Sequence, residues 1–583
     1  MKNNALILIC LSILTLNSHF TIAQVAKPAN WNEIIQRPWY EGTVEGKPAF
    51  VYLDAQNHEN GYFFIAYNAL PNIYQLLIKW KNDDPRSVIF RMQGKKMRAK
   101  YRGIIQDNLI EGIIKTSRRN ARRLNIPREL PLYLTLEKPV VVPALTHRYI
   151  TPTFKWVDFT GDISYGAASG YYVSMPVEAD KNYDYQQIIL DAMKRMYVSP
   201  TKEAILHILN NDPISLVLTD LQGLRFDLYQ PTGDPLTGRP LIMMLHGGAF
   251  IMGDKGVATI RELAENFARK GYVVAAINYR MGFNPASKSS LERSAYRAVQ
   301  DARAALRFLS HNAAEYGIDP DCIFLAGSSA GAITALNAAF MKEDERPEST
   351  KGNFWQFQKD LGGLDESTNT FQDRYTIRAV ANLWGAVHDT NIIDRDEKIP
   401  VLSFHGDADK IVPCGYNYPF TDLDTSVTSN IVSKMYGSLC INERLKHQGI
   451  QSELVIFPGC GHEPQCEAGN YSRVMDTITT RITDFYLKAL FNFPVIAGPG
   501  KLIVNSPVPE YSVPDQKDVS CYWKVTGGKI IPGATKNQAR IVWLADGNGN
   551  ISLQLVHKNQ ADYKLDFPVI LPEKIANYYP VSK

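Results

Sequence analysis

Metal-binding patterns are missing from this chain. It has 7 cysteines in 583 residues, and neither C-x-x-C nor H-E-x-x-H occurs, which removes the usual spacings of structural and catalytic zinc. No metal site is therefore expected. Long apolar runs are also missing. After residue 23 no stretch reaches eighteen uninterrupted apolar residues, so no membrane-spanning helix is expected. There is no internal repeat and no low-complexity tract, which removes solenoids and fibrous classes. Charge of one sign does not dominate either, with 63 Lys and Arg against 59 Asp and Glu.

What is present begins with an address. Met1 to Ala23 holds one Lys, a mainly apolar run from Ala5 to Leu16, and Thr21-Ile22-Ala23 before Gln24. This reads as a cleavable signal peptide and predicts an exported protein, periplasmic, cell-surface or extracellular. An oxidising compartment would allow disulfides among the six cysteines that follow. Cys322 and Cys521 read as buried thiols. Cys414, Cys440, Cys460 and Cys466 sit in loop-like stretches and allow three pairings. Cys460–Cys466 or Cys414–Cys440 is expected, since both pairs flank loops that carry candidate site residues.

Composition changes along the chain. Residues 24–139 carry 19 Lys and Arg against 11 Asp and Glu, concentrated in KKMRAKYR (Lys95 to Arg102) and RRNARR (Arg118 to Arg123). An exported protein seldom meets nucleic acid, so no nucleic-acid partner is expected. Solvated strand faces, or attachment to an acidic polysaccharide or envelope surface, account for the charge. The same region reads as short aromatic and β-branched strands between turn signals, a small antiparallel β-barrel or sandwich. Residues 140–213 read as linker and lead-in. From 214 to 493 apolar runs such as LIMML, YVVAAI, CIFLAG, PVLSFH and ELVIFP alternate with amphipathic helical stretches. That pattern predicts an α/β domain around a mostly parallel sheet of about eight strands, opened by ISLVL and LRFDLY. Residues 497–572 alternate with period two around TGG and DGNGN and read as a second small β-sandwich.

The α/β region carries the chemistry. Gly327-Ser328-Ser329-Ala330-Gly331 fits G-x-S-x-G where a strand hands over to a helix, a turn tight enough to need small neighbours around an exposed Ser. A serine hydroxyl needs a base, and a histidine base needs a carboxylate to orient it. SFHGDADKIVP follows one strand and offers Asp407 and Asp409, which spacing alone does not separate. VIFPGCGHEP follows the next strand and offers His462. LIMMLHGGAF ends an earlier strand in small residues whose N–H groups can approach a substrate oxygen, with the Ala330 N–H as a second donor.

From about Leu224 to Ala489 the chain resembles the carboxylesterase and lipase branch of the α/β-hydrolases. The residues that carry this are HGGAF, INYRMGF, DARAALRFL…YGIDPDCIFLAGSSAGA, HGDADKIVP and GCGHE. The resemblance implies an α/β-hydrolase core with Ser329 as nucleophile, Asp409 as acid and His462 as base. It implies oxyanion donors at Gly248, Ala249 and Ala330, with Ala249 standing where many relatives carry a third Gly. YSVP and YWKVTGGKI are similar to PKD-like, immunoglobulin-type modules of secreted enzymes.

These features lead to an exported serine esterase that cleaves carboxylic esters through an acyl-enzyme and needs no cofactor, with esterified polysaccharide or polyester as a candidate polymeric substrate. Two alternatives stand beside it. One is a serine peptidase of the prolyl-oligopeptidase type, for which residues 24–139 are too short to supply a propeller. The other is a binding or adhesion protein on a hydrolase scaffold, which would be expected to have lost a triad member. Trp384 and His388, past another strand end, are candidates for the substrate pocket. Met341 to Thr376 is either a partial lid or a solvated excursion.

Overall fold

The structure, a computed structural model, describes residues 30–44, 47–54, 60–66, 71, 73–81, 84–94, 97–106, 108–118, 128–137, 141–171, 219–283, 288–352, 359–394, 396, 398–422, 428–429, 432–504, 506–573 and 578–579. The signal-like segment, the ISLVL run and most of RRNARR lie outside these residues. The chain divides into two compact units. One takes residues 1–144, 494–556 and 564–583, and the other takes 145–493 with 557–563.

The second unit is built on one eight-stranded sheet. Its elements are β1 (Val157–Tyr171), β2 (Thr219–Pro231), β3 (Arg239–Leu245), α1 (Ala258–Arg269), β4 (Val273–Ile277) and α2 (Lys288–His311). They continue with β5 (Ile318–Ser328), α3 (Ala330–Phe340), β6 (Ile377–Leu383), β7 (Val401–Gly406), α4 (Ser438–His447), β8 (Ser452–Phe457) and α5 (Tyr471–Leu490). The strand order is 1-2-4-3-5-6-7-8. β2 runs antiparallel to β1 and β4, and every other pair is parallel. Central strands β3 and β4 are buried along their whole length, which is why they read as continuous apolar runs rather than alternating ones. Alternation survives in what each residue meets. Leu241, Met243 and Leu245 join the core formed with Leu306 and Leu309 of α2, Leu336 of α3 and Leu445 of α4. Met244 instead faces Ile260 and Leu263 of α1 and Met475 and Ile478 of α5. Helices therefore cover both faces.

This sheet begins earlier than the sequence suggests. The edge strand β1 lies inside the stretch read as linker and lead-in, paired with β2 from Val157↔Pro231 to Tyr171↔Thr219. Its sequence, VDFTGDISYGAASGY, is rich in small and polar residues, and Tyr165 is the large side chain it fully buries. An exposed edge strand of that kind has little apolar signal to read. Its far end is tied in by Arg280, which pairs with the buried carboxylate of Asp301 at 2.9 Å and donates to the Ser169 carbonyl.

The first unit joins both β modules. Eight antiparallel strands between Tyr40 and Leu136 close into a barrel, because Ile73–Lys81 pairs with Asn60–Ile65 on one side and with Asp84–Gly94 on the other. Strands between Glu510 and Ile570 form two three-stranded sheets. The sequence reading keeps these modules apart as residues 24–139 and 497–572, yet they share side chains. The Trp31 indole donates to the Leu544 carbonyl at 3.1 Å. Lys529, buried, donates to Glu137 at 2.7 Å and to the Arg37 carbonyl at 2.8 Å. Burial lowers the pKa of the Lys529 ammonium despite the attraction of Glu137. Such a joint is invisible in sequence because its halves lie about four hundred residues apart. Lys529→Ala should lower unfolding free energy by about 1.5–3 kcal/mol, the scale of a hydrogen bond to a charged group. Denaturant melts with the midpoint and slope compared to the parent chain measure it.

Candidate active site

The carboxyl ends of β3, β5, β7 and β8 lie along one edge of the sheet, where open α/β sheets place their sites. β5 ends at Ser328, and Ser329 then takes φ 53° and ψ −118° before α3 begins. A serine pays a strain cost in this region, and it persists only where the surroundings leave no alternative. Those surroundings are small by necessity. A Cβ on Gly327 would lie 2.3 Å from the Gly331 carbonyl oxygen, and one on Gly331 would lie 2.3 Å from the Leu245 carbonyl oxygen. The turn therefore sits wedged against β3, held further by the Ser329 N–H on the Leu383 carbonyl at 2.9 Å.

Three side chains meet there. Ser329 Oγ lies 2.9 Å from His462 Nε2, and His462 Nδ1 lies 2.7 Å from Asp409 Oδ2. The Asp409 side chain has no exposure to solvent. Its Oδ1 accepts the N–H groups of Ile411 and Val412 at 2.8 and 2.9 Å. Burial alone would raise its pKa, but hydrogen bonds and charge from His405 and His462 outweigh it and hold the carboxyl well below its ordinary value. Burial likewise opposes charge on His462, and Asp409 reverses this, so the imidazole sits above its ordinary 6.5. The arrangement can pass a proton from the hydroxyl to a histidine whose tautomer the carboxylate fixes.

The turn after β3 lies beside this group. Gly248 has φ 120°, and a Cβ there would lie 2.0 Å from the Met252 carbonyl oxygen, so only Gly fits. Ala249 and Phe250 follow in the left-handed region at φ 53° and 61°. Among the described residues, the N–H groups of Gly248, Ala249 and Ala330 carry no hydrogen bond. Ala249 and Ala330 line one chamber together with Ser329. His246 shapes this turn: its ring stacks on Tyr279 at 4.5 Å, and its carbonyl accepts the Tyr279 hydroxyl at 2.7 Å.

The chamber holds about 610 Å³ and is walled mainly by apolar groups, among them Phe250, Phe283, Tyr296, Ile333 and Phe420. His388 lines it. Trp384 does not, which corrects its placement in the substrate pocket. Trp384 turns at φ 46° and buries its indole beneath the Ser329 turn, donating to Ser328 Oγ at 3.1 Å. The described residues of the segment after α3, on either side of 353–358, are fastened down. Arg293 donates to the Ser349 and Lys359 carbonyls, Gln300 to those of Leu361 and Gly363, and Arg303 to that of Met341. Fastened to α2 in this way, it supplies Met341 and Pro347 to the chamber wall.

One further expectation needs correction. Cys414, Cys440, Cys460 and Cys466 are all free thiols, so neither expected bridge is present. Asp407 reaches the histidine loop instead of the histidine: its Oδ1 accepts the Gly459 N–H at 2.6 Å. These facts belong together. The Ala408 N–H also reaches the Cys460 carbonyl at 3.0 Å, and a Cβ on Gly406 would lie 2.3 Å from that oxygen. Backbone contact between the acid loop and the histidine loop provides the restraint that a disulfide was expected to give. The sequence reading also missed His405, which lies 3.2 Å from Asp409 Oδ2; its signal was its place four residues before the acid.

The chain matches known proteins over this region. The BD-FAE family model matches residues 226–394. Over 140 residues the chain is 36% identical to the probable isoprenylcysteine alpha-carbonyl methylesterase ICMEL1 of Oryza sativa subsp. japonica, covering 23% of this chain and 30% of that one. Over 277 residues it is 24% identical to isoprenylcysteine alpha-carbonyl methylesterase ICME of Arabidopsis thaliana, covering 42% and 56%. The chain thus spans between about a third and just over half of these relatives' length. Among solved structures it is similar to the apo form of Thermogutta terrifontis esterase 2, at 21% identity and a TM-score of 0.34, covering 47% of this chain and 91% of that one.

Asp409 and Asp407 can be separated in the test tube. Asp409→Asn should cut turnover on a short-chain ester by roughly four orders of magnitude, because the amide favours the wrong imidazole tautomer. Asp407→Asn should stay within about threefold, since its amide oxygen still accepts the Gly459 N–H. In the parent chain kcat/KM should fall on the acid side along a limb centred above pH 6.5, since His462 must be neutral to take the proton and Asp409 raises its pKa. Initial rates across pH 5–9, with folding followed by circular dichroism, check all three.

Proposed function

We propose that this chain is an exported serine hydrolase of carboxylic esters working through an acyl-enzyme. One observation carries the reading: an unbroken Ser329–His462–Asp409 hydrogen-bond chain opening on a large apolar chamber. Ser329 Oγ attacks the ester carbonyl carbon while His462 Nε2 takes its proton. The carbonyl oxygen becomes an anion and accepts hydrogen bonds from Gly248, Ala249 and Ala330. The intermediate collapses, His462 returns the proton to the departing alcohol, and water then attacks the acyl-serine by the same route.

The names of the matched plant proteins describe methylesterases, which supports ester over amide cleavage. The prolyl-oligopeptidase alternative finds no support, because the first unit holds a closed barrel where that type carries a propeller. Triad residues in bonding distance likewise speak against a non-catalytic scaffold. Export rests on the Met1–Ala23 pattern. Attachment to an envelope or polysaccharide, and a polymeric ester as substrate, rest on the basic barrel and on reading the C-terminal sandwich as PKD-like.

The chamber makes a specific demand on the substrate. Its volume, about 610 Å³, lies in the range of sites for drug-sized ligands, far beyond an acetyl group. Nitrophenyl esters should therefore gain roughly fourfold in kcat/KM per added methylene, the worth of burying one CH₂, until the chamber is filled. Ser329→Ala should remain folded and lose on the order of a million-fold in turnover, and a fluorophosphonate should label Ser329 alone. Cleavage that survives in Ser329→Ala, or acetate as the best substrate, would contradict the proposal.

A further inference from the structure

The acid of this site has a second imidazole partner. Asp409 Oδ2, which accepts His462 Nδ1–H, also lies 3.2 Å from His405 Nε2. His405 Nε2 faces the Val412 carbonyl as well, at 3.1 Å, while its Nδ1 lies 2.7 Å from Ser438 Oγ. Both neighbours of Nε2 are acceptors, so Nε2 carries the hydrogen and Nδ1 accepts from the Ser438 hydroxyl. Ser438 Oγ in turn accepts Asn382 Nδ2–H at 3.0 Å, and Asn382 Oδ1 accepts the Gly385 N–H at 2.9 Å. His405, Ser438 and Asn382 are each wholly buried. Every polar atom along this route has a partner, and the neutral tautomer of His405 satisfies all of them at once.

Building on the esterase reading, we infer that His405 is a positioning residue for the reaction, a fourth member that holds Asp409 through an Nε2–H shared between the Val412 carbonyl and the same oxygen that serves His462. The consequence is a shared charge. A carboxylate out of contact with solvent needs several donors to stay ionised; Asp409 accepts hydrogen bonds from His462 and the N–H groups of Ile411 and Val412, and His405 Nε2 stands 3.2 Å from the oxygen that serves His462. His405 both fixes the carboxylate rotamer and draws off part of the charge that would otherwise act on His462. Other titratable groups near this cluster are Glu463 beside His462, and Cys414 and Asp407 around Asp409. Ser329 completes the set.

The test compares the full chain with His405→Phe, which keeps a ring without a donor, and His405→Gln, whose amide can donate from the same place. On nitrophenyl butyrate, His405→Phe should lose roughly 10- to 100-fold in kcat, the size of one hydrogen bond to a charged group, with KM little changed. Its acid limb should move up by about half a pH unit, because Asp409 then acts more strongly on His462. His405→Gln should recover most of kcat. A His405→Phe enzyme within twofold of the parent with an unmoved limb overturns the inference. So does a His405→Gln enzyme as impaired as His405→Phe at equal melting temperature, since that would leave His405 as a spacer only. If His405→Phe does not fold, far-downfield proton NMR of the parent decides. Two protected imidazole N–H signals, one lost in His405→Gln, support the inference, and a single signal that persists in the variant overturns it. An absence of ester cleavage in the parent would instead refute the esterase reading, and the NMR result would still stand for His405.

Discussion

The left-handed turn at Ser329 is the constraint on which the site depends. A strand must stop, turn its next side chain outward and start a helix within one residue, and the backbone at φ 53° and ψ −118° does this. Nothing larger than a hydrogen fits where Gly327 and Gly331 press against each other and against β3. The cost of the strained residue is met by the parallel sheet around it. Leu245↔Gly327 and Ser328↔Leu383 pairings fix β5 between two strands, and the Ser329 N–H is spent on the Leu383 carbonyl. The helix that follows is buried along its whole length, so the turn has no room to relax.

The histidine and its acid come from separate loops, and a different device aligns them. β7 and β8 are parallel neighbours in register from Val401↔Ser452 to Gly406↔Phe457. Beyond the last pair the chains remain in contact through Asp407, Ala408, Gly459 and Cys460. The sheet register is thus extended past its own end, which sets the Asp409–His462 separation without a covalent link. Removing the Gly406 contact by adding even a methyl would push the two loops apart at their root.

Much of this was legible in the chain because its chemistry is local. G-x-S-x-G, H-G-G-A and the order of serine, acid and histidine depend on short stretches at strand ends, and the continuous apolar runs marked the central strands. The failures share a physical origin in distance or in polarity. β1 buries little, so it lacks a hydrophobic signature. Trp384 looked like a pocket residue because it follows a strand end, but its φ of 46° turns the indole under the sheet edge. Lys529 and Glu137 meet across most of the chain's length, which no local pattern records. His405 stood inside the very motif that selected Asp409, yet a histidine at the end of a buried strand reads as packing until its hydrogen-bond partners are known.

Non-glycine residues with positive φ are uncommon in proteins and gather where function over-determines the backbone. Fourteen of the described non-glycine residues have positive φ, and six of them, Ala249, Phe250, Ser329, Trp384, Phe420 and Glu463, lie in or beside the site with φ between 46° and 61°. Four of them wall the chamber, Trp384 lies under the Ser329 turn, and Glu463 follows His462 directly. Ala249 and Phe250 are the more telling pair, since Gly would adopt this conformation more cheaply. Both residues line the chamber. The loop holds them through Ile251 and Met252 N–H bonds to the Gly248 carbonyl and through the Gly282 N–H on Phe250. The strained backbone thus sets two apolar side chains in the wall of the chamber that holds Ser329. Under the esterase proposal, the shape of the chamber, more than Ser329, His462 and Asp409, sets which ester would fit.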